Sequence, residues 1–282
     1  MKETILSIVV VIYNMRREIE RTLHSLSIEY QRGIDKNDYE VLVIDNGSRQ
    51  RLEADFFSGF KANIKYHYLE NANSSPAAAM NFGAKKAEGQ YLGLMIDGAR
   101  LLTPGILAKA KNILLANEMA TVTVLGWHLG PKLQKDSVLD GYNQTIEDEL
   151  LKKIDWPNDG YKLFDIATRA GSNMDGWQGQ IAESNCFFVS KKRYDELGGL
   201  NEKFVTAGGG IVNLDFYKRA VESPDGKNFG LIDEGTFHQI HSQAISSNAS
   251  IQKNNPFRDY LVEYKKIYGY DYVVPTVKYE YH

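Results

Sequence analysis

The chain has 282 residues, 43% of them apolar, and a formal net charge of −3. That apolar content suffices for one large α/β domain, or one domain with an appendage, and the acidic balance excludes a nucleic-acid binder that relies on overall basicity. One cysteine, Cys186, lies in the apolar run Cys186-Phe187-Phe188-Val189; it reads as a buried inert thiol, and a lone cysteine excludes a disulfide framework or a cysteine zinc site within the chain.

Met1-Lys2-Glu3-Thr4 leads into a short apolar stretch, Ile5 to Ile12. The stretch is too short to span a membrane and lacks a signal-type cleavage region. A cytoplasmic protein is therefore expected, with peripheral membrane attachment left open. Ile5 to Ile12 is rich in β-branched residues and reads as a central parallel strand buried on both faces. Arg16 to Ile28 carries Ile19, Leu23 and Leu26 at helical spacing. Tyr39 to Ile44 reads as a second strand, closed by the turn Asp45-Asn46-Gly47-Ser48. Ile64 to Leu69 reads as a third strand. Pro76 to Ala87 reads as a helix with proline near its first turn and small residues throughout. The strand Tyr91 to Ile96, the helix Ile106 to Ala116 and the strand Thr121 to Leu125 follow.

This alternation predicts a mainly parallel central sheet flanked by helices, with the ligand at the carboxyl ends of the strands. Three of those ends carry polar residues suited to a site: Tyr13-Asn14, Asp45-Asn46 and Asp97. From Trp127 to Gly176 the sequence turns polar and shows one clear helix, Thr145 to Ile154, as an insertion near the site would. A strand at Asn185–Val189, a glycine-rich loop at Val205–Gly210, a helix at Asn213–Glu222 and a strand at Phe229–Ile232 complete the domain.

Four segments together resemble the family 2 glycosyltransferases of the GT-A fold: Ser7 to Asn14, Val41 to Ser48, Asn81 to Leu92 and Leu94 to Asp97. Tyr194-Asp195-Glu196-Leu197-Gly198-Gly199 and a later helix ending at Arg219-Ala220 extend the likeness over roughly residues 5 to 242. The resemblance implies a GT-A domain over residues 1–250, with a nucleotide-binding half (1–126), an acceptor-side half (127–250) and a C-terminal tail (251–282). It implies transfer of a sugar from a nucleoside diphosphate sugar, most simply a UDP-sugar, to a glycan, lipid-linked or small-molecule hydroxyl. Tyr13, Asn14, Asp45, Asn46 and Asn81 would line the nucleotide pocket. Asp97, the first carboxylate of the family's Asp-x-Asp motif, would contact the ribose or metal-bound water.

Three departures from the family pattern bear on mechanism. Ala99 stands where the second carboxylate of the motif would bind Mg²⁺ or Mn²⁺. Either Asp97 binds the metal with His238 or His241, or Arg100 replaces the cation by pairing with the diphosphate. The family's acidic pair at the start of the helix after the glycine loop falls on Val212-Asn213. A base for the acceptor hydroxyl must then come from Asp215 or Glu183, unless the transfer is retaining. Third, His238 and His241 have a spacing that joins two rings on a helix but not on a flat strand. The Gly-Gly-Gly loop, the Asn-Leu-Asp helix start and the Phe-His-Gln segment resemble a variant bacterial subgroup of the family.

Trp177 offers a flat apolar face for a sugar acceptor, or for ordinary packing. The tail, with Tyr260, Tyr264, Lys265, Lys266 and Tyr268, reads as a helix packed on the domain or a surface for a membrane or a second copy of the chain. The different-class alternative is a non-catalytic nucleotide-sugar-binding protein of the same fold.

Overall fold

The computed structural model describes residues 4–241 and 256–282. β1 (Leu6–Ile12) has every residue buried, as a strand covered on both faces requires. It pairs in parallel with β2 (Tyr39–Asp45) on one side and β4 (Tyr91–Met95) on the other, and β3 (Ile64–Tyr68) continues the parallel set. β8 (Phe187–Ser190) then runs antiparallel between β4 and β6 (Thr121–Leu129). β9 (Asn228–His238) lies parallel to β6, and β10 (Glu280–Tyr281) closes that side, giving the order β10-β9-β6-β8-β4-β1-β2-β3. The short β5 (Arg100–Leu102) pairs with β9, and β7 (Ala167–Arg169) with β6, both antiparallel. The sheet is mixed but mainly parallel among its long strands, as expected.

Two cores form because successive strand residues face opposite sides. Ile8 and Val10 face α1 (Arg16–Ser25) and α3 (Ile106–Ala116), where Ile19, Leu23, Leu107 and Ile113 are buried. Val9 and Val11 face α2 (Ala77–Lys86), α6 (Lys191–Glu196) and α7 (Val212–Val221). Each fully buried aliphatic side chain contributes about 1.5–3 kcal/mol. The small residues of α2 have a direct cause. A Cβ on Gly83 would stand 2.3 Å from Val9 Cγ1, so the helix sits on β1 with no room for a side chain.

The insertion holds two helices rather than one, α4 (Gln134–Leu139) and α5 (Gln144–Lys152). Asn143 caps α5 by accepting from the N–H groups of Thr145 and Ile146. A third core of Tyr30, Leu101, Leu151, Trp156, Leu163 and Phe237 fixes the insertion to the domain.

The tail helix Pro256–Tyr268 packs on the second core, with Tyr264 buried and Lys265 and Lys266 exposed. The boundary expected at residues 250 and 251 lies outside the described residues. Among the described residues no helix is long and apolar enough to cross a membrane.

Candidate functional site

A cleft of about 1260 Å³ opens at the carboxyl ends of β1, β2 and β4. Its walls include Tyr13 and Asn46 from the first two strand ends, and Asp97, Arg100, His238 and His241 beyond them. Ligand pockets for one small molecule usually span about 300–1,000 Å³, so the volume exceeds what one small ligand needs.

Asp97 is the centre of the site. A sharp turn presents it, because Gly98 lies against the end of β1: a Cβ there would be 2.5 Å from Ile12 Cγ2 and 2.8 Å from Val11 O. Oδ1 of Asp97 accepts from the Ala99 N–H at 3.0 Å, leaving Oδ2 free to face the cleft. Oδ2 lies 2.6 Å from His238 Nε2, 3.9 Å from Arg100 Nη2 and 4.0 Å from His241 Nε2. Burial alone would raise the Asp97 pKa, but His238, His241 and Arg100 hold it well below the usual carboxylate range. Burial lowers His238, against the pull of Asp97.

His238 Nε2 has no hydrogen-bond partner despite its closeness to Asp97, and His241 Nδ1 is also buried without one. The Nδ1 of His238 contacts Gln134 Oε1. Two buried imidazole nitrogens thus stand beside one carboxylate oxygen at the cleft wall. One carboxylate and two imidazoles, with ligand atoms within 4.8 Å of one another, form a donor set suited to a divalent transition ion. The residues present thus fit a metal. The histidine spacing also finds its explanation. β9 ends at His238, the chain leaves the strand, and the two rings meet edge to face at 5.3 Å.

A charged network holds this strand end. Gln239 N–H donates to Ala99 O at 2.8 Å, and the Gln239 amide donates to Glu18 O at 3.0 Å. Ile240 N–H donates to Glu147 Oε2 at 2.7 Å, while Arg17 donates to Ile240 O at 3.3 Å. Glu147 is fully buried on α5. Burial pushes its pKa up to about 7, against the opposing pull of the Ile240 N–H and Arg17.

Removing Glu147 leaves Arg17 and Arg21 short of a partner. Glu147→Ala should cost about 3 kcal/mol in urea unfolding, and Glu147→Gln less, because its amide oxygen still accepts from Ile240. The folded pKa lies above the ordinary 4.5, so the folded protein binds the extra proton and this contribution fades as pH rises from about 4.5 to about 7. The stability of the native chain relative to Glu147→Gln should fall across that window.

Several expected contacts lie elsewhere. Asp45 is fully buried; it accepts from the Ser48 N–H and the Tyr66 hydroxyl, each at 2.8 Å. It shapes the turn instead of reaching a base. Asn14, at φ 53°, accepts from the Arg49 N–H through its side chain and donates its own N–H to Ser48 Oγ, joining the first two loops. Asn81 is corrected from a nucleotide contact to a staple between α2 and the loop after α6. It accepts from Tyr194 and the Leu200 N–H, and donates to Leu200 O and Glu202. Trp177 does not reach the cleft: its indole covers Gly230 and meets Tyr279 and Tyr281 edge to face.

Asp215 is buried and accepts from Arg219 at 2.9 and 3.0 Å, and Arg219 in turn donates to Leu197 O and Gly199 O. Its carboxylate closes an internal ion pair, which removes it as a free base. Glu183 reaches the start of α7 from the loop before β8 and accepts from Asn213 at 2.9 Å and Asn185 at 3.0 Å. It therefore stands beside the position where the family's acid is missing, although it does not line the cleft.

The cleft also holds a residue that the sequence did not single out. His128, near the end of β6, faces it at 5.9 Å from the His238 ring. Burial, with His238 and Arg100 nearby, pushes its pKa down to about 3. At the opposite wall, Gly208, Gly209 and Gly210 all have left-handed φ, between 55° and 86°. Glu263 of the tail helix braces that loop by accepting from the N–H groups of Val205 and Thr206, and Tyr260 beside it joins the cleft wall.

Residues 7–97 match the family model described as glycosyl transferase family 2. A segment of 93 residues, 33% of this chain, is 28% identical to an uncharacterized glycosyltransferase of Rickettsia felis (strain ATCC VR-1525 / URRWXCal2), of which it covers 14%. The structure resembles S. aureus TarS 1-349 in complex with UDP, with a TM-score of 0.56 and 12% identity over 95% of this chain and 72% of that one. It also resembles GalNAc-T7 with UDP, GalNAc and Mn²⁺, with a TM-score of 0.57 and 14% identity over 86% of this chain and 44% of that one. At such identity the solved structures define the fold alone, which is GT-A. The match over residues 7–97 makes the amino-terminal segment similar to the family 2 glycosyltransferases, as its motifs led one to expect. The chain spans only a small part of the Rickettsia protein's length and 42% of a longer TarS chain.

Proposed function

We propose that this chain transfers a sugar from a UDP-sugar to a hydroxyl of a glycan, lipid-linked or small-molecule acceptor. The observation that carries the reading is the convergence of Asp97, His238 and His241 beside Arg100, inside a cleft at the strand ends. TarS with UDP and GalNAc-T7 with UDP and Mn²⁺ support the choice of nucleotide and ion. Asp97, His238 and His241 would hold a divalent ion, which would supply charge stabilisation for the departing diphosphate. Arg100 adds a permanent cation on the same wall, so the two solutions expected as alternatives work side by side. Tyr13 and Asn46 line the nucleotide end, and if the transfer inverts the remaining candidate for the acceptor base is Glu183, which lies beside Asn213 just outside the cleft.

Calorimetric titration of UDP, GDP and dTDP, each with Mn²⁺ and with EDTA, tests the reading. UDP should bind, and EDTA should weaken it at least tenfold. Equal binding in EDTA would assign the diphosphate to Arg100 without metal. Binding with no donor hydrolysis or transfer would favour the non-catalytic alternative, and no nucleotide binding would remove the proposal altogether.

A further inference from the structure

Strand register places three nitrogen-bearing side chains in one row. Arg100 on β5 pairs with His238 on β9, and His238 pairs with His128 on β6. Directly paired residues on neighbouring strands project to the same face of a sheet, and all three line the cleft. Arg100 supplies a fixed positive charge and His238 a metal ligand. His128 has no part in either role.

Its protonation is settled by one neighbour. The backbone N–H of Gln134 donates to His128 Nδ1 at 3.1 Å. An accepting Nδ1 carries no proton, so the ring is neutral and its proton is on Nε2. No described residue accepts from that Nε2–H. The side chain of the same Gln134 meets His238 Nδ1 through its Oε1. An amide oxygen only accepts, so His238 holds a proton on Nδ1, with its Nε2 turned toward Asp97. Gln134 is itself buried, at the first position of α4. One residue thus sets opposite Nδ1 states in two adjacent rings, bare in His128 and protonated in His238.

We propose that His128 is a binding residue for the diphosphate of the nucleotide, donating a neutral hydrogen bond from Nε2–H, and that Gln134 is the positioning residue that fixes the Nδ1 state of both histidines. The inference rests on the function proposed above. Its chemistry suits the row. A carboxylate, a divalent ion and Arg100 already balance a diphosphate, so a neutral donor adds direction without further charge.

Two measurements separate this inference from the reading beneath it. In protein labelled with ¹⁵N-histidine, His128 should show a protonated Nε2 and His238 a protonated Nδ1. Gln134→Leu removes only the side-chain arm, so His238 should become a tautomer mixture while His128 keeps its state. Gln134→Pro removes both arms. Proline is tolerated at the first helical position, and Leu133 before it already has the extended ψ of 141° that proline demands. Both rings should then relax. Unchanged tautomers in Gln134→Pro would overturn the clamp.

For the phosphate contact, His128→Ala should weaken UDP binding in Mn²⁺ about tenfold, with Mn²⁺ binding by the protein alone unchanged. His128→Gln, which keeps a donor, should recover most of the loss. UDP affinity unchanged in His128→Ala overturns the contact. A native chain that binds no UDP overturns the contact and the proposed function together, and the ring tautomers still decide the clamp.

Discussion

Asp97→Asn is expected to lower sugar transfer, or donor hydrolysis followed by UDP release, by about 10³-fold at saturating Mn²⁺. The substitution is chosen to spare the fold. An asparagine oxygen can still accept from the Ala99 N–H, which is the bond that shapes the turn. The lost element is the one negative charge among the three groups that converge on the ion position. Two neutral imidazoles make a weaker site for a hard divalent ion than the same pair with a carboxylate. Mn²⁺ affinity should fall with the rate, and added Mn²⁺ should recover part of the binding. Arg100→Ala should behave differently, with a smaller loss and Mn²⁺ binding retained, because its guanidinium lies 3.9 Å from Asp97 Oδ2 as a separate cation. Activity preserved in Asp97→Asn but lost in Arg100→Ala would reverse this assignment and make the arginine the main phosphate contact.

The sheet and its ligand-bearing edge were legible because they depend on local pattern. The unbroken apolar runs of β1, β2 and β4 are fully buried, as parallel central strands must be. β9 runs beyond the apolar stretch Phe229–Ile232 although Asp233 and Glu234 interrupt the pattern. Glu234 is buried nonetheless, paired with Lys109 and accepting from Thr103. Partners so distant in sequence leave no trace in a short window of residues. The same limit explains the site. Asp97, His238 and His241 could be named singly, but their meeting depends on where β9 stops. No motif spacing encodes the place of His128, which follows from register across β5, β9 and β6. Asn81 and Asp45 carry family motifs, yet their side chains face inward to structural partners. A motif fixes residue type but not the direction of the side chain.

Ala99→Asp restores the family's Asp-x-Asp motif in sequence, and it should damage the protein. Ala99 is fully buried within the apolar core beneath β5, in the cluster that includes Met15, Met95 and Leu102. Its backbone is fixed on both sides, by the bond from its N–H to Asp97 and by the bond from Gln239 to its carbonyl. A carboxylate placed there enters hydrocarbon with no cation prepared to meet it. The expected loss is about 3 kcal/mol or more in urea unfolding. Ala99→Val supplies the control, since it adds bulk without charge and should cost about 1–3 kcal/mol through overpacking alone. The excess of Asp over Val therefore measures charge burial. Mn²⁺ affinity should not rise in Ala99→Asp. A stable Ala99→Asp protein with tighter Mn²⁺ binding would mean that the turn after Asp97 can rotate position 99 into the cleft, and that the histidines supplement a carboxylate pair. The packing favours the other outcome: position 99 belongs to the core, and the second ligand we propose comes from the end of β9.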